Sequence, residues 1–165
     1  ELLNRLRETP VVTIAAVDGP ATGGGVGLAA ACDLAVTGPG ASFRLTEVLL
    51  GLLPGMIMPF IGRRTGEQTL LRMATLAETV DPHQALRWGL TDIHQDDVAT
   101  AVRQALTAIS RSDRGTLAEL KTARRMLFPE AAEYGLYAQQ LLDTRLSDKT
   151  VRTRIGSLWT QGLLP

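Results

Sequence analysis

The stretch from residue 11 to residue 33 constrains the fold most, because it joins an apolar run directly to a cluster of glycines. Residues 11–17, Val-Val-Thr-Ile-Ala-Ala-Val, are rich in β-branched side chains and predict a buried strand. Gly23, Gly24 and Gly25 follow, and small and apolar residues then recur at helical intervals as far as Asp33. The stretch therefore predicts a strand, a glycine turn and a helix.

Glycines at a helix start let the backbone lie close to a bound group, and the free N–H donors of the first turn attract negative charge. Such donors serve either phosphate binding or oxyanion stabilisation in acyl chemistry. Residues 23–27, Gly-Gly-Gly-Val-Gly, fit the dinucleotide pattern G-x-G-x-x-G poorly, and the Lys-Ser/Thr pair of a phosphate loop is absent. Glycines that merely allow close helix–strand packing remain an alternative at this point.

Motifs downstream of the glycines narrow the choice. In order they are Asp33-Leu-Ala-Val-Thr, Ala41-Ser-Phe, Glu47-Val-Leu-Leu-Gly-Leu-Leu-Pro-Gly, Arg64-Thr-Gly and Ala85-Leu-Arg-Trp-Gly-Leu-Thr. Together with the glycine helix they cover about residues 10–95, and their order and spacing resemble the crotonase superfamily of enoyl-CoA hydratases and isomerases. The resemblance implies an α/β fold with a ClpP-like ββα spiral core, and places the C-terminal half of that core in residues 1–95.

Residues 96–165 read differently, because strand signals stop and apolar residues recur at helical spacing. This part predicts four helices, which in the resembling family form a trimerisation region, so a homotrimer or hexamer is expected. The first nine residues predict the end of an amphipathic helix without an initiating Met. Since crotonases carry more of the core before this point, we expect its N-terminal part to be missing, together with the partner donor of the oxyanion hole.

Composition limits the remaining function classes. The chain has 165 residues, a length typical of one domain, and 45% hydrophobic residues, enough for a core. Lys plus Arg equals Asp plus Glu at 17 each, which argues against nucleic acid or an anionic membrane as partner, and no apolar run is long enough to span a bilayer. The lone Cys32, interpreted as a buried small hydrophobe, agrees with a reducing cytoplasm, and no metal-ligand spacing is present.

The resemblance assigns the catalytic groups. Glu47 matches the family's acid/base, and its apolar surroundings predict a pKa raised by burial; a helix-start glutamate interacting with its own dipole is the alternative. Gly24 matches the backbone N–H donor that the family aims at the thioester oxygen. Gly23, Gly25 and Gly27 are assigned to substrate binding around it.

Gly27 is also a departure from the family pattern. Hydratases of the family place a second Glu two residues after the glycine triplet, where this chain has Gly27. Water addition by two carboxylates is therefore not available. A single Glu47 can still move a proton between carbons, or remove an α-proton and help a tertiary hydroxide leave.

Two groups of basic residues have two interpretations. Lys121, Arg124 and Arg125 form one predicted basic face, and Arg63 and Arg64 form another. We expect solvated faces, with contact to a ligand phosphate as the alternative.

A finer resemblance is to polyketide-associated crotonases that dehydrate a 3-hydroxy-3-methylglutaryl group on an acyl carrier protein during β-branching. It rests on residues 42–54, on Met-Ile-Met-Pro-Phe at residues 56–60, and on the final Gly-Leu-Leu-Pro. Met56 and Phe60 are expected to line the acyl site. The resemblance implies a lyase without a cofactor, acting on an acyl thioester carried by CoA or by the phosphopantetheine of a carrier protein.

Other functions stay open at this stage. A Δ3,Δ2-enoyl-CoA isomerase would share the single Glu, and a general enoyl-CoA hydratase would need a second carboxylate from elsewhere. A decarboxylating crotonase is disfavoured by Glu47. A non-catalytic trimeric scaffold is the alternative from a different class.

Overall fold

The computed structural model describes residues 1–129 and 133–161 of the chain. The final Gly-Leu-Leu-Pro lies outside the described residues. The strands are β1 (Ile14–Val17), β2 (Pro20–Thr22), β3 (Leu34–Thr37), β4 (Ser42–Arg44) and β5 (Ile93–His94). The helices are α1 (Leu2–Glu8), α2 (Gly24–Ala31), α3 (Met58–Thr65), α4 (Glu67–Leu76), α5 (Pro82–Arg87), α6 (Val98–Ile109), α7 (Arg114–Leu127), α8 (Tyr134–Ser147) and α9 (Lys149–Thr160), with a 3-10 helix at Glu47–Leu50.

The strands form two small parallel sheets. One has the order β1-β3-β5, and the other pairs β2 with β4. β3 is central in its sheet, with Ala35, Val36 and Thr37 buried, as expected of a strand covered on both faces. The chain passes from β1 through β2 and α2 to β3, so α2 crosses over between parallel strands.

Two strands differ from the sequence prediction. β1 starts at Ile14 rather than at residue 11, because the backbone N–H of Thr13 donates to the Asp33 carboxylate at 2.8 Å. The sequence predicts no strand at residues 20–22, yet Pro20–Thr22 form β2 and pair in register with Ser42–Arg44 of β4.

The hydrophobic core lies between the glycine helix and the helices that follow it. α2 packs against α1, α3 and β1, and it buries Val26 and the alanines at 29, 30 and 31. These residues join a cluster whose largest members are Phe43, Leu45, Ile61, Met73 and Leu90. The small side chains of α2 let the neighbouring elements approach its backbone closely.

The four helices predicted after residue 96 are present as α6 to α9. Three of them begin at an aspartate that caps the helix, because Asp97, Asp113 and Asp148 accept the backbone N–H of Thr100, Thr116 and Thr150 respectively. No helix within residues 1–129 or 133–161 is long and apolar enough to cross a bilayer.

Candidate active site

The glycine turn presents open backbone donors at the start of α2. Gly23 has φ +48° and ψ −115°, a conformation that favours glycine, and its N–H donates to the Arg44 carbonyl at 2.9 Å. Among the described residues, the amides of Gly24 and Gly25 have no backbone partner. A Cβ added at Gly24 would meet nothing within 4 Å, so the space beside its Cα is open. The first turn of α2 can therefore accept a ligand oxygen.

Glu47 lies directly beside this turn. It begins the 3-10 helix, and its Oε1 lies 3.0 Å from the position that a Cβ on Gly23 would occupy. Oε2 is buried, and no hydrogen-bond partner for it occurs in the described part of the chain. Burial raises the pKa of Glu47 above its ordinary value, against a smaller lowering by its own backbone N–H and that of Thr46. A carboxyl with a raised pKa and a free oxygen suits proton transfer.

Gly27 occupies the position where the resembling hydratases carry a second carboxylate. It is buried, and a Cβ built on it would lie 2.2 Å from Cγ2 of Ile57 and 2.8 Å from its Cβ. Ile57 thus fills the space that any side chain at this position would need. A second acid cannot stand here unless Ile57 moves.

A mostly apolar cavity of about 370 Å³ opens beside Gly24. It is lined by Met56, Ile57 and Phe60, by the first residues of α1, and by Tyr134 of α8. Phe60 is 4% exposed and Met56 is 44% exposed. The cavity therefore brings together three of the residues predicted for the site: Gly24, Met56 and Phe60.

The other predicted residues lie outside this lining. Glu47 lies beside Gly23, the neighbour of Gly24, and a Cβ on Gly25 would make ordinary contact with Ala21 at 3.7 Å. The roles of these residues stay predictions. Ile57 and Tyr134 were not identified from the sequence, because their nearness to α2 depends on how distant helices pack.

Two residues of the predicted basic faces, Lys121 and Arg64, are not solvated as we expected. Lys121 is 5% exposed, and its Nζ donates to Asp33 Oδ2 at 2.6 Å. Arg64 donates to the Ala30 and Cys32 carbonyls at the C-terminal end of α2, at 3.1 and 2.8 Å, and pairs with Asp92 at 3.0 Å. The solvated-face prediction is wrong for Lys121 and Arg64, since both satisfy buried oxygens.

Cys32 is half-buried, and desolvation raises the pKa of its thiol more than a hydrogen bond from Thr13 lowers it. A raised thiol pKa disfavours the thiolate. Within the described ranges, no group of three or more His, Cys, Asp or Glu side chains could hold a metal ion.

Comparison with known proteins shows the family of the chain. The sequence model of the enoyl-CoA hydratase/isomerase family matches residues 1–156. The chain is 33% identical over 121 residues to the bacillaene synthase dehydratase PksH of Bacillus subtilis, covering 73% of this chain and 47% of that protein. It is 30% identical over 132 residues to the ethylmalonyl-CoA decarboxylase of Gallus gallus, covering 76% of this chain and 43% of the relative.

The fold is shared with the crystal structure of Bacillus subtilis pksH. The TM-score is 0.88 at 29% identity, over 92% of this chain and 61% of that one. The predicted crotonase fold is confirmed for the part of the core that the chain contains. The chain spans about half the length of the two relatives it matches here. It belongs to the enoyl-CoA hydratase/isomerase family, the crotonases.

Proposed function

We propose that this chain carries the acid/base and oxyanion groups of a lyase that dehydrates a 3-hydroxy-3-methylglutaryl thioester to a 3-methylglutaconyl thioester, as in polyketide β-branching. One observation carries the proposal. Glu47, with its buried oxygen and raised pKa, stands beside the glycine turn, while Ile57 occupies the place of a second carboxylate at Gly27. The site is built for chemistry with one acid.

The oxyanion role falls to the first turn of α2. The thioester oxygen accepts the N–H of Gly24, whose surroundings are open. Because negative charge grows on this oxygen as the enolate forms, the donor stabilises the transition state by about 3 kcal/mol. The positive end of the dipole of α2 stabilises the same negative charge.

The proton transfers fall to Glu47. Its carboxylate removes the α-proton, the electron pair of that bond becomes the double bond, and the bond from the β-carbon to the hydroxyl oxygen breaks. The same carboxyl then gives its proton to the departing hydroxide, which leaves as water. Burial raises the pKa of Glu47, so its carboxylate is a stronger base toward the α-proton than a solvated glutamate would be.

The relatives support this chemistry without selecting a substrate. One is named a dehydratase of bacillaene synthase and another a decarboxylase of ethylmalonyl-CoA. A tertiary β-hydroxyl leaves more readily than a secondary one, so a substrate with a branched β-carbon needs only one acid. The apolar cavity beside Gly24 is suited to a compact acyl group, delivered either on CoA or on an acyl carrier protein.

A Δ3,Δ2-enoyl-CoA isomerase is the second candidate. The space closed by Ile57 at Gly27 favours it equally, because moving a proton between two carbons also needs one acid. It differs from the dehydratase in exchanging no water with the substrate.

The test compares substrates on the full-length protein. We expect dehydration of 3-hydroxy-3-methylglutaryl thioester to exceed hydration of crotonyl thioester by at least about 100-fold in kcat/KM, equivalent to about 2.7 kcal/mol. Both acyl groups are presented on CoA and on carrier protein, and 3-enoyl-CoA is included for the isomerase. Efficient crotonyl hydration would contradict the proposal, and double-bond migration without water exchange would select the isomerase.

A further inference from the structure

The segment 47–57 carries both the proposed acid/base and part of the cavity wall. Glu47 begins it, and Met56 and Ile57 of the cavity end it. Its first turn is a 3-10 helix of four residues that ends at Gly51, where φ is +78°. Thr46, at the cap position, makes no side-chain capping bond. A helix of one turn is not stable by itself, because ordering its backbone costs more free energy than its hydrogen bonds contribute. Contacts from other elements must therefore stabilise it.

The first anchor of this segment comes from α8. Nε of Arg145 donates to the Gly51 carbonyl at 2.8 Å. Gly51 in turn closes the turn that begins at Glu47, because its N–H donates to the Val48 carbonyl at 3.1 Å and the next amide, of Leu52, donates to the Glu47 carbonyl at 3.0 Å. A cation on the last carbonyl of a helical turn also meets the negative end of its dipole.

α9 also contacts Gly51, through an apolar side chain. The side chain of Val151 is 4% exposed, and its Cγ2 lies 3.2 Å from the position a Cβ on Gly51 would take. The turn is therefore held between a hydrogen bond from α8 and an apolar contact from α9.

The second anchor lies at the cavity end of the segment. The hydroxyl of Tyr134, at the start of α8, donates to the Gly55 carbonyl at 3.0 Å. Ala138, one turn later, packs against Gly55, with its Cβ 3.3 Å from the Cβ position of that glycine. Tyr134 also lines the cavity beside Met56.

We infer that Arg145 and Tyr134 are positioning residues, which hold the two ends of the segment 47–57 from the helical region. Arg145 acts through the turn that carries Glu47, and Tyr134 acts through the cavity wall that carries Met56. The inference rests on the proposed function of Glu47 and Met56. It assigns to α8 a part in the active site, although neither residue touches the reacting atoms.

The two anchors have different kinetic consequences. Removing the Arg145 donor displaces the acid/base, so Arg145→Met lowers kcat by about 10- to 100-fold and leaves KM within about twofold. Removing the Tyr134 hydroxyl loosens the binding wall, so Tyr134→Phe raises KM about fivefold with a smaller effect on kcat. A general loss of structure would not separate the two constants.

The experiment uses the full-length protein with 3-hydroxy-3-methylglutaryl thioester. Arg152→Met is the matched control, because Arg152 is an exposed arginine of α9, and its kinetics stay at the parent level. Arg145→Lys restores most of kcat, since an ammonium also donates to the Gly51 carbonyl. Hydrogen exchange is measured at the amides of Gly51 and Leu52, which exchange faster in Arg145→Met and at the parent rate in Arg152→Met.

The outcomes separate this inference from the proposed function. Kinetics and exchange in Arg145→Met that match Arg152→Met would overturn the inference while the proposed function stands. Equal losses of kcat in the Arg145→Lys and Arg145→Met variants would also overturn it. A parent without turnover on any thioester would overturn the proposed function and the kinetic role, whereas the exchange rates would still show whether Arg145 holds the turn.

Discussion

The two halves of the chain bury their side chains very differently. The largest fully buried side chains of the described residues all lie before residue 96: Val26, Val36, Thr37, Phe43, Leu45, Ile61, Met73, Val80, Leu90 and Thr91. In the helical region the buried apolar residues are small, namely Ala101, Ala105, Ala138 and Val151. The core half builds its own hydrophobic interior, and the helices add little volume to it.

Large apolar side chains of the helical region instead face outward. Those at least 57% exposed are Leu120, Met126, Leu127, Phe128, Leu136, Tyr137 and Trp159. Two of the helices also hold the core half through polar contacts, of Lys121 with Asp33 and of Arg145 with the Gly51 carbonyl. Hydrogen bonds and small buried apolar side chains position the helices on the core half, while the large apolar side chains stay available for another surface.

The largest expected effect is that of Glu47→Gln, which tests the chemistry proposed for the core half. We expect kcat to fall about 1,000-fold, or about 4 kcal/mol, because the amide can neither accept nor donate the transferred proton. Thioester binding and folding stay near the parent level. The matched control is Glu119→Gln on α7, an exposed glutamate, which leaves turnover unchanged. Comparable rates for Glu47→Gln and the parent would remove Glu47 from the reaction.

The polar attachment of the helices is tested by Lys121→Met. The change leaves the Asp33 carboxylate buried with one fewer cation, so we expect the free energy of unfolding to fall by about 3 kcal/mol. Lys149→Met, at an exposed lysine of α9, should change it by less than about 0.5 kcal/mol. Denaturant unfolding measures both variants. Equal stabilities would mean that the helices do not depend on this contact.

Close packing in the core half is tested at Gly27. Gly27→Ala forces Ile57 to move, and we expect a loss of about 2 kcal/mol in unfolding free energy. Ile57→Ala should relieve much of this cost in the double variant, so a double-mutant cycle gives a favourable coupling. Gly156→Ala in α9 meets nothing within 4 Å and should stabilise by about 0.5–1 kcal/mol. Additive effects at Gly27 and Ile57 would contradict the predicted contact.

Substitution of an exposed apolar residue of the helical region should have the smallest effect on the stability of the protomer, because such residues are expected to act in assembly. We expect the full-length protein to be a trimer or a dimer of trimers by light scattering. Leu127→Gln should weaken this association while changing the unfolding free energy of the protomer by no more than about 0.5 kcal/mol. Leu71→Gln is the control, because Leu71 is an exposed leucine of the core half. A monomeric parent, or equal effects of the two variants, would contradict assembly through the helices.

Local patterns in the sequence were sufficient for several elements. The sequence predicts strands at residues 34–37 and 42–44, and these are the bounds of β3 and β4. The burial expected for Glu47 from its apolar neighbours matches the direction of its pKa. Residues 81–84, Asp-Pro-His-Gln, predict a capped helix start, and Asp81 does cap α5 by accepting the Gln84 amide at 2.8 Å. In each case the signal lies within a few residues of the feature.

Features that depend on distant packing were missed. β2 exists because β4 lies beside it, and three residues that begin with Pro20 give no strand signal of their own. Lys121 could not be distinguished from a surface lysine, because its partner Asp33 is 88 residues away. The contact of Ile57 with Gly27 likewise requires knowing how α3 approaches α2.

The pairing of Asp33 with Lys121 also has a consequence for biosynthesis. A ribosome adds the lysine 88 residues after the aspartate, which at about 5–20 residues per second is a delay of roughly 4–18 s. During that time the nascent sheet holds an acid whose counter-ion has not been made. We expect the Asp33 carboxylate, held until then only by Thr13, to stay hydrated until α7 emerges and docks, so this part of the core half completes its folding after the helical region has been translated.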